Sequence, residues 1–361
     1  MKLIAAALAI VAITGCKKKD TKGTDQGSGS AQPTEQQMPR ASQGQLPQMP
    51  PLQLADDPKR KEKIALGNAL FFDTRLSVDG TRACYSCHKN EDGTGGHDPR
   101  AIGAKNAQLT RHAPTMWNVA YFKKAFYWDG RSPDLESLAK AAWAGGNMGV
   151  GKDSLDAKAE ELGKIAGYKK LFEAAFPGQK VTADLVASAL AEYERTMICK
   201  DTAYDKYAAG DKSALSEQQQ RGLDVFMGKG QCLACHAPPF FSSAMGVEGG
   251  VYFNVGVGIQ GKAETDVDVG RMAVTNNAID WAAFKPPSLR NITKSPPYTH
   301  DGEVAKLEDQ VKFMASGGFA NKNRTPLMVD RQLAQAELDD LIAFLGGLEC
   351  PGKLEPPKKM P

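Results

Sequence analysis

Cys84-Tyr85-Ser86-Cys87-His88 decides how this chain is read, because the pattern returns as Cys232-Leu233-Ala234-Cys235-His236. Cysteines at this spacing sit one helical turn apart. They can add to the two vinyl groups of a haem, while the adjacent imidazole turns onto the iron. A single Cys-x-x-Cys would equally suit a dithiol redox centre or half of a zinc site. Two copies, each followed by histidine and both behind an export-type N-terminus, indicate two covalently attached c-type haems. Cys84, Cys87, Cys232 and Cys235 would carry the thioethers, with His88 and His236 as iron ligands.

The rest of the composition fits a two-domain chain. Its 361 residues exceed one average domain, and 42% hydrophobic residues can build real cores. The net charge is +3, from 45 basic and 42 acidic residues, so no nucleic-acid partner is expected. Met1 to Cys16 has the form of an export signal: Lys2, an apolar run from Leu3 to Ile13, then Ile13-Thr14-Gly15-Cys16. A run of about eleven apolar residues is too short to span a bilayer. The small residue before Cys16 resembles a bacterial lipobox. Residues 1–15 would then be removed and Cys16 lipidated, tethering the protein to the periplasmic side of a membrane, with Lys17 favouring the outer one. The alternative is ordinary secretory cleavage with Cys16 incidental. Cys199 and Cys350 remain, as a disulfide or as two buried thiols.

Residues 16–50 are rich in Lys, Gln, Gly, Ser and Pro, the composition of a disordered tether. An amphipathic helix is predicted from Pro58 through Ile64 and Gly67 to Phe71, leading into the first haem motif, and helix signals return after Asp134. Thr182 caps a helix whose Val181, Leu185, Ala189, Tyr193 and Met197 fall on one face. Ser216-Glu217-Gln218-Gln219 has the capping-box pattern and opens the helix carrying Leu223 and Phe226 into the second motif. Val304, Leu307, Val311 and Met314 form a stripe ended by Gly317-Gly318. A last helix carries Leu338, Leu341, Leu345 and Leu348. The one strand signal is a short hairpin around Tyr252 to Val257. The fold expected is all-α, two cytochrome c-type haem domains in tandem, at 51–205 and 206–350, with 351–361 as a tail.

Several further stretches carry a resemblance: Leu70-Phe71-Phe72-Asp73-Thr74-Arg75-Leu76-Ser77, Pro114-Thr115 with Asn118, Trp128-Asp129-Gly130-Arg131, Glu194-Arg195-Thr196, Pro287-Ser288-Leu289-Arg290-Asn291 and Pro297-Tyr298-Thr299-His300-Asp301-Gly302. With the two haem motifs, these resemble the bacterial dihaem cytochrome c peroxidases, with the MauG-like tryptophan-oxidising enzymes as close relatives. The resemblance covers roughly residues 66–348 and implies a division of labour. Electrons enter at a high-potential C-terminal haem, and peroxide binds at the N-terminal one. It assigns Met314 as the second ligand of the His236 iron, since a thioether favours Fe(II) and raises the potential; the residues alone would equally put Met314 in the core. A Tyr at this position marks the MauG-like branch. Trp128 matches the aromatic relay between the haems, against a core tryptophan.

The resemblance fails in the N-terminal pocket. The family's distal histidine follows Ile-Gly, where this chain reads Ile102-Gly103-Ala104. The pocket glutamate is replaced by Asn147, before Met148-Gly149, and the pocket glutamine falls at or near Leu138. Without the histidine, the haem is expected to stand open, or to be captured by His97, His112 or Met148. Without the glutamate, it lacks the group that moves a proton between the peroxide oxygens. His112 also replaces an asparagine that helps bind an inter-haem calcium, leaving the Ser295 and Pro297 carbonyls as candidate ligands; His300 reads as structural. The function implied is reduction of hydrogen peroxide to water with electrons from a small soluble donor, cytochrome c or a cupredoxin. The alternatives are MauG-like oxidation of a protein partner and a non-catalytic dihaem electron carrier. The family often pairs, which makes a homodimer the implied assembly.

Overall fold

Residues 41–361 are described by a computed structural model, and their regular structure is helical, with isolated bridges and no strands among the described residues. The all-α expectation holds. The first half is built on α1 (Arg60–Phe72), α2 (Leu135–Ala144), α3 (Leu155–Gly163), α4 (Ala166–Ala175) and α5 (Ala183–Glu194). The second half has α6 (Ala203–Ala208), α7 (Glu217–Met227), the short α8 (Met272–Thr275), α9 (Leu307–Ala315) and α10 (Gln335–Gly346). Each half has its own apolar cluster. One gathers Leu66, Leu70, Phe71, Trp143, Tyr168 and Tyr193; the other gathers Tyr204, Leu223, Phe226, Phe241, Leu341 and Phe344.

The helix starts follow local chemistry. Asp134 accepts from the Ser137 N–H at 2.6 Å, and Thr182 from that of Leu185 at 3.4 Å. Ser216 and Gln219 close the expected capping box, each side chain accepting from the other residue's backbone N–H at 3.2 and 3.0 Å. Such caps contribute about 1 kcal/mol each.

The duplication of the haem motifs extends to their surroundings. α1 crosses α5 at Gly67, where a Cβ would lie 1.9 Å from the Ala189 carbonyl oxygen; α7 crosses α10 at Gly222, 1.9 Å from that of Asp340. In both halves the helix leading into a haem motif therefore needs glycine for backbone-to-backbone approach. Asn118 and Asn291 form a second matched pair, both with left-handed backbone, φ 64° and 66°. The Asn118 carboxamide oxygen accepts from the Cys199 N–H at 2.8 Å, and that of Asn291 from the Cys350 N–H at 3.1 Å. These two cysteines are joined, with Cα atoms 5.3 Å apart, so the disulfide left open by the sequence links corresponding points of the two halves.

Several boundaries shift. Residues 41–50 do not belong to a free tether. Ser42 and Leu46 are buried, the Ser42 N–H donates to Asp224 at 2.8 Å, and the hydroxyls of Tyr207 and Tyr204 donate to the Ser42 and Pro47 carbonyls. One leucine and satisfied backbone groups suffice to hold this stretch to the second half. Nor is 351–361 a free tail. Leu354 is buried, exchanges two hydrogen bonds with the Asn90 side chain, and the Pro361 carbonyl accepts from Arg75. The boundary expected at 205 cuts through α6, which gives both Tyr204 and Tyr207 to the second cluster. Val181 and Met197 lie outside α5, whose buried surface is broader than one stripe because it is sandwiched by α1 and α2. The hairpin around Tyr252 reduces to a single bridge from Phe253 to Phe284. Among the described residues no helix is long and apolar enough to cross a membrane. The signal segment and Cys16 lie outside the described residues.

Candidate haem sites and the wall between them

Each Cys-x-x-Cys-His begins as one tight helical turn, Cys84–Ser86 and Cys232–Ala234. The histidine backbone closes the turn, His88 N–H to the Cys84 carbonyl at 3.1 Å and His236 N–H to that of Cys232 at 2.8 Å. The four thiols form no disulfide with one another, and burial pushes all four up in pKa, Cys232 and Cys235 to about 11. His88 Nδ1 lies 2.9 Å from the Thr94 carbonyl, and His236 Nδ1 lies 3.1 Å from the carbonyls of both Phe241 and Pro287. Carbonyls only accept, so both Nδ1 atoms carry the proton and both Nε2 atoms are bare. Burial also lowers both imidazole pKa values, keeping the rings neutral. A neutral histidine fixed through Nδ1–H to a backbone carbonyl is the arrangement metal-ligating histidines use.

His236 opens onto a largely apolar cavity lined also by Cys232, Cys235, Leu307, Val311, Met314 and Met328. Met314 lies on the same helical stripe as Leu307 and Val311, but only those two are members of the apolar cluster; Met314 faces the cavity. Ser295 and Pro297 line this cavity too. No Asp or Glu joins them there, and among the described residues no three His, Cys, Asp or Glu side chains group as a metal site. The wall thus supplies no carboxylate for calcium.

His88 opens onto a second cavity, and the two cavities share a wall made by residues 112–115 with Trp128, Lys285, Pro287 and Ser288. Trp128 stands where the sequence puts a relay. Its indole N–H donates to the His112 carbonyl at 2.8 Å, and its own carbonyl accepts from the Lys285 N–H at 2.8 Å. Lys285, which the sequence reading missed, is buried in this wall. Its ammonium donates to the Ala125 carbonyl at 2.6 Å, 3.3 Å from the Phe122 ring centroid, and burial depresses its pKa to about 7.

The distal side of the His88 cavity follows the altered sequence. Asn147 and Leu138 line it, whereas Ala104 is buried outside its wall, its N–H bonded to the Asn147 carbonyl. Of the side chains expected to capture an open iron, His97 is exposed and paired with Asp92 at 3.3 Å, and Met148 is sealed in the apolar cluster. Neither lines the cavity; His112 does, with Nδ1 held by the Asp98 carbonyl at 3.0 Å. Met116 and Met245 also line it, which no periodicity in the sequence signalled. Tyr127 and Arg131 complete this side. The Tyr127 hydroxyl donates to the Leu138 carbonyl at 3.2 Å, and the Arg131 guanidinium sits 3.7 Å over the Tyr127 ring, tied to Asp129 at 3.0 and 2.9 Å. His300 lines only the other cavity, stacked on Phe284 at 3.7 Å.

Comparison with known proteins agrees with this geometry. The family model described as di-haem cytochrome c peroxidase matches residues 61–213. The methylamine utilization protein MauG of Methylorubrum extorquens is 34% identical over 296 residues, 81% of this chain and 80% of the relative. The chain belongs to the di-haem cytochrome c peroxidase family. The cytochrome c551 peroxidase of Pseudomonas aeruginosa is 35% identical, over 82% of this chain and 81% of the relative. The crystal structure of a MauG-like protein associated with microbial copper homeostasis superposes with a TM-score of 0.78 at 29% identity, covering 86% of this chain and 95% of that one. Di-haem family membership implies two haem c groups, and both sites fit them: paired free thiols, a neutral histidine with bare Nε2, and a cavity beyond it.

Proposed function

We propose that this di-haem family member reduces hydrogen peroxide to water at the His88 site, with electrons from a small redox protein, cytochrome c or a cupredoxin, entering at the His236 site. The observation that carries the reading is the contrast between the two cavities. Met314 lines the His236 cavity from a helix, whereas in the His88 cavity Asn147 and Leu138 stand in the places of the family's pocket glutamate and glutamine, and Ala104 lies outside the wall. Bound haem supplies the redox chemistry at each end. The protein's part is to hold each imidazole by its Nδ1–H, to raise the potential at His236 through the Met314 thioether, and to leave room for a ligand at His88. Trp128, in the wall common to both cavities, provides an aromatic path for electrons between them.

Relatives named MauG match as well as those named peroxidase, which keeps oxidation of a protein partner as the second reading. Met314 favours the first, because the MauG-like branch carries tyrosine there. The Cys199–Cys350 bond suits an oxidising compartment, consistent with a periplasmic protein tethered through a lipid on Cys16. The test is turnover of hydrogen peroxide with reduced cytochrome c, with and without pre-reduction of the protein. Peroxide-dependent oxidation of cytochrome c that needs no pre-reduction supports the proposal. Absence of peroxide consumption in both arms overturns it.

A further inference from the structure

Reduction of peroxide consumes two electrons and two protons, and the His88 cavity has lost the carboxyl group its family uses to handle the protons. No Asp or Glu lines it. The titratable side chains that do, besides His88, are His112, Lys285, Arg111, Arg131 and Tyr127. His112 and Lys285 belong to the wall shared with the other cavity, His112 bonded through Nδ1 to the Asp98 carbonyl and Lys285 through its ammonium to that of Ala125. Arg111 is locked between Asp129 at 2.7 Å and Asp268 at 2.6 and 2.8 Å. Tyr127 and Arg131 line the His88 cavity alone.

Two observations single out Tyr127. Its backbone is left-handed, φ 64°, a conformation that costs a bulky L-residue about 1 kcal/mol or more and persists where the surroundings impose it, often at functional sites. Its hydroxyl donates to Leu138 at 3.2 Å, a long O–H···O bond that a better acceptor in the cavity would displace. The Arg131 guanidinium, fixed by Asp129, lies flat against the ring. It can steady negative charge appearing on the phenol oxygen or on a nearby ligand.

We propose that Tyr127, with Arg131 stacked on it, is the proton donor of the His88 cavity and takes over the role of the missing carboxyl. The proposal rests on the peroxidase reading of that cavity. As the O–O bond breaks, the phenol gives its proton to the departing oxygen, which leaves as water, and is reprotonated from solvent. The second proton comes from solvent and the two electrons from the reduced redox donor, so hydrogen peroxide, two electrons and two protons become two waters. Burial holds the phenol above its ordinary pKa, so the proton is in place at neutral pH.

The test compares the parent with Tyr127→Phe, which keeps the ring and its stacking. One readout is fluoride affinity of the oxidised holoprotein, followed optically; the other is the rate of peroxide consumption. Loss of a hydrogen bond to an anion should weaken fluoride binding about tenfold or more, and loss of the proton donor should slow peroxide consumption about 10²-fold. The potential on the His236 side should stay as in the parent. A parent that turns over peroxide, with a variant matching it in rate and fluoride affinity, overturns the assignment to Tyr127 and leaves the peroxidase reading standing. Fluoride binding weakened by the change in a protein that consumes no peroxide overturns the peroxidase reading and the proton-donor role with it, and leaves Tyr127 only a hydrogen-bond donor to a ligand in the cavity. A parent that binds no fluoride overturns the assignment, because the phenol then meets no ligand.

Discussion

Glu194 offers the clearest test of how burial sets charge in this molecule. It is the last residue of α5, 4% exposed, and its Oε2 finds no hydrogen-bond partner. Arg195, the nearest cation in sequence, is engaged instead with Glu192 and Glu136. Burial is the main cause that pushes the Glu194 carboxyl up to about 8, with the Glu136 charge adding to it and Arg195 opposing. An acid whose folded pKa is raised is favourable to folding only while it keeps its proton. Its contribution is intact below the unfolded value of 4.5 and drains away as pH climbs towards 8. At about 1.4 kcal/mol per pH unit, the accumulated loss is on the order of 5 kcal/mol. Glu194→Gln keeps the shape and removes the titration. The variant's stability relative to the parent should therefore grow by several kcal/mol between pH 5 and pH 8, measured by guanidinium denaturation of the holoprotein. A difference that stays constant between the two pH values would show that Glu194 is ionised in the fold, and would refute the reasoning.

Three further outcomes follow from the geometry. Met314→His should lower the potential of the C-terminal haem by on the order of 100 mV, a fraction of the roughly 0.8 V that axial ligands span; an unchanged redox titration returns Met314 to the core. Gly222→Ala places a methyl 1.9 Å from the Asp340 carbonyl oxygen and should cost at least about 1–3 kcal/mol by forcing α7 off α10, read in the same denaturation assay, whereas Gly178→Ala, with nothing near its Cβ position, meets no such clash and should cost only the backbone strain of its φ of 68°. Replacing Cys199 and Cys350 together by Ala opens a loop closed across 151 residues and should cost about 2–5 kcal/mol. No loss would mean that the paired Asn118 and Asn291 contacts already hold the two ends.

What the sequence disclosed was local. A Cys-x-x-Cys-His turn is closed by its own backbone, and the Ser216–Gln219 cap by residues three apart, so both could be read without a partner. That Met314 shares a helix with Leu307 and Val311 was legible from its stripe, because one helix sets its direction. Features made by distant segments were not. The burial of Ser42 and Leu46 depends on Asp224, Tyr204 and Tyr207, and a polar stretch carries no sign of such partners. Lys285 sits beside a readable Pro287–Asn291 motif, yet its burial follows from Phe122 and Ala125 meeting it across the wall. Tyr127 adjoins Trp128, but that it lines the His88 cavity with Asn147 depends on α2, whose Leu138 carbonyl takes its hydroxyl, and not on spacing.

The central claim, a capped haem at His236 and an open one at His88, is tested most directly by electron paramagnetic resonance of the fully oxidised protein. The account predicts one low-spin signal, from the haem held by His236 and Met314, and one high-spin signal, from the haem at His88, with the latter shifting on addition of cyanide. Two low-spin signals that ignore cyanide would contradict it, and would mean that His112, Met116 or Met245 has closed the His88 cavity and left an electron carrier.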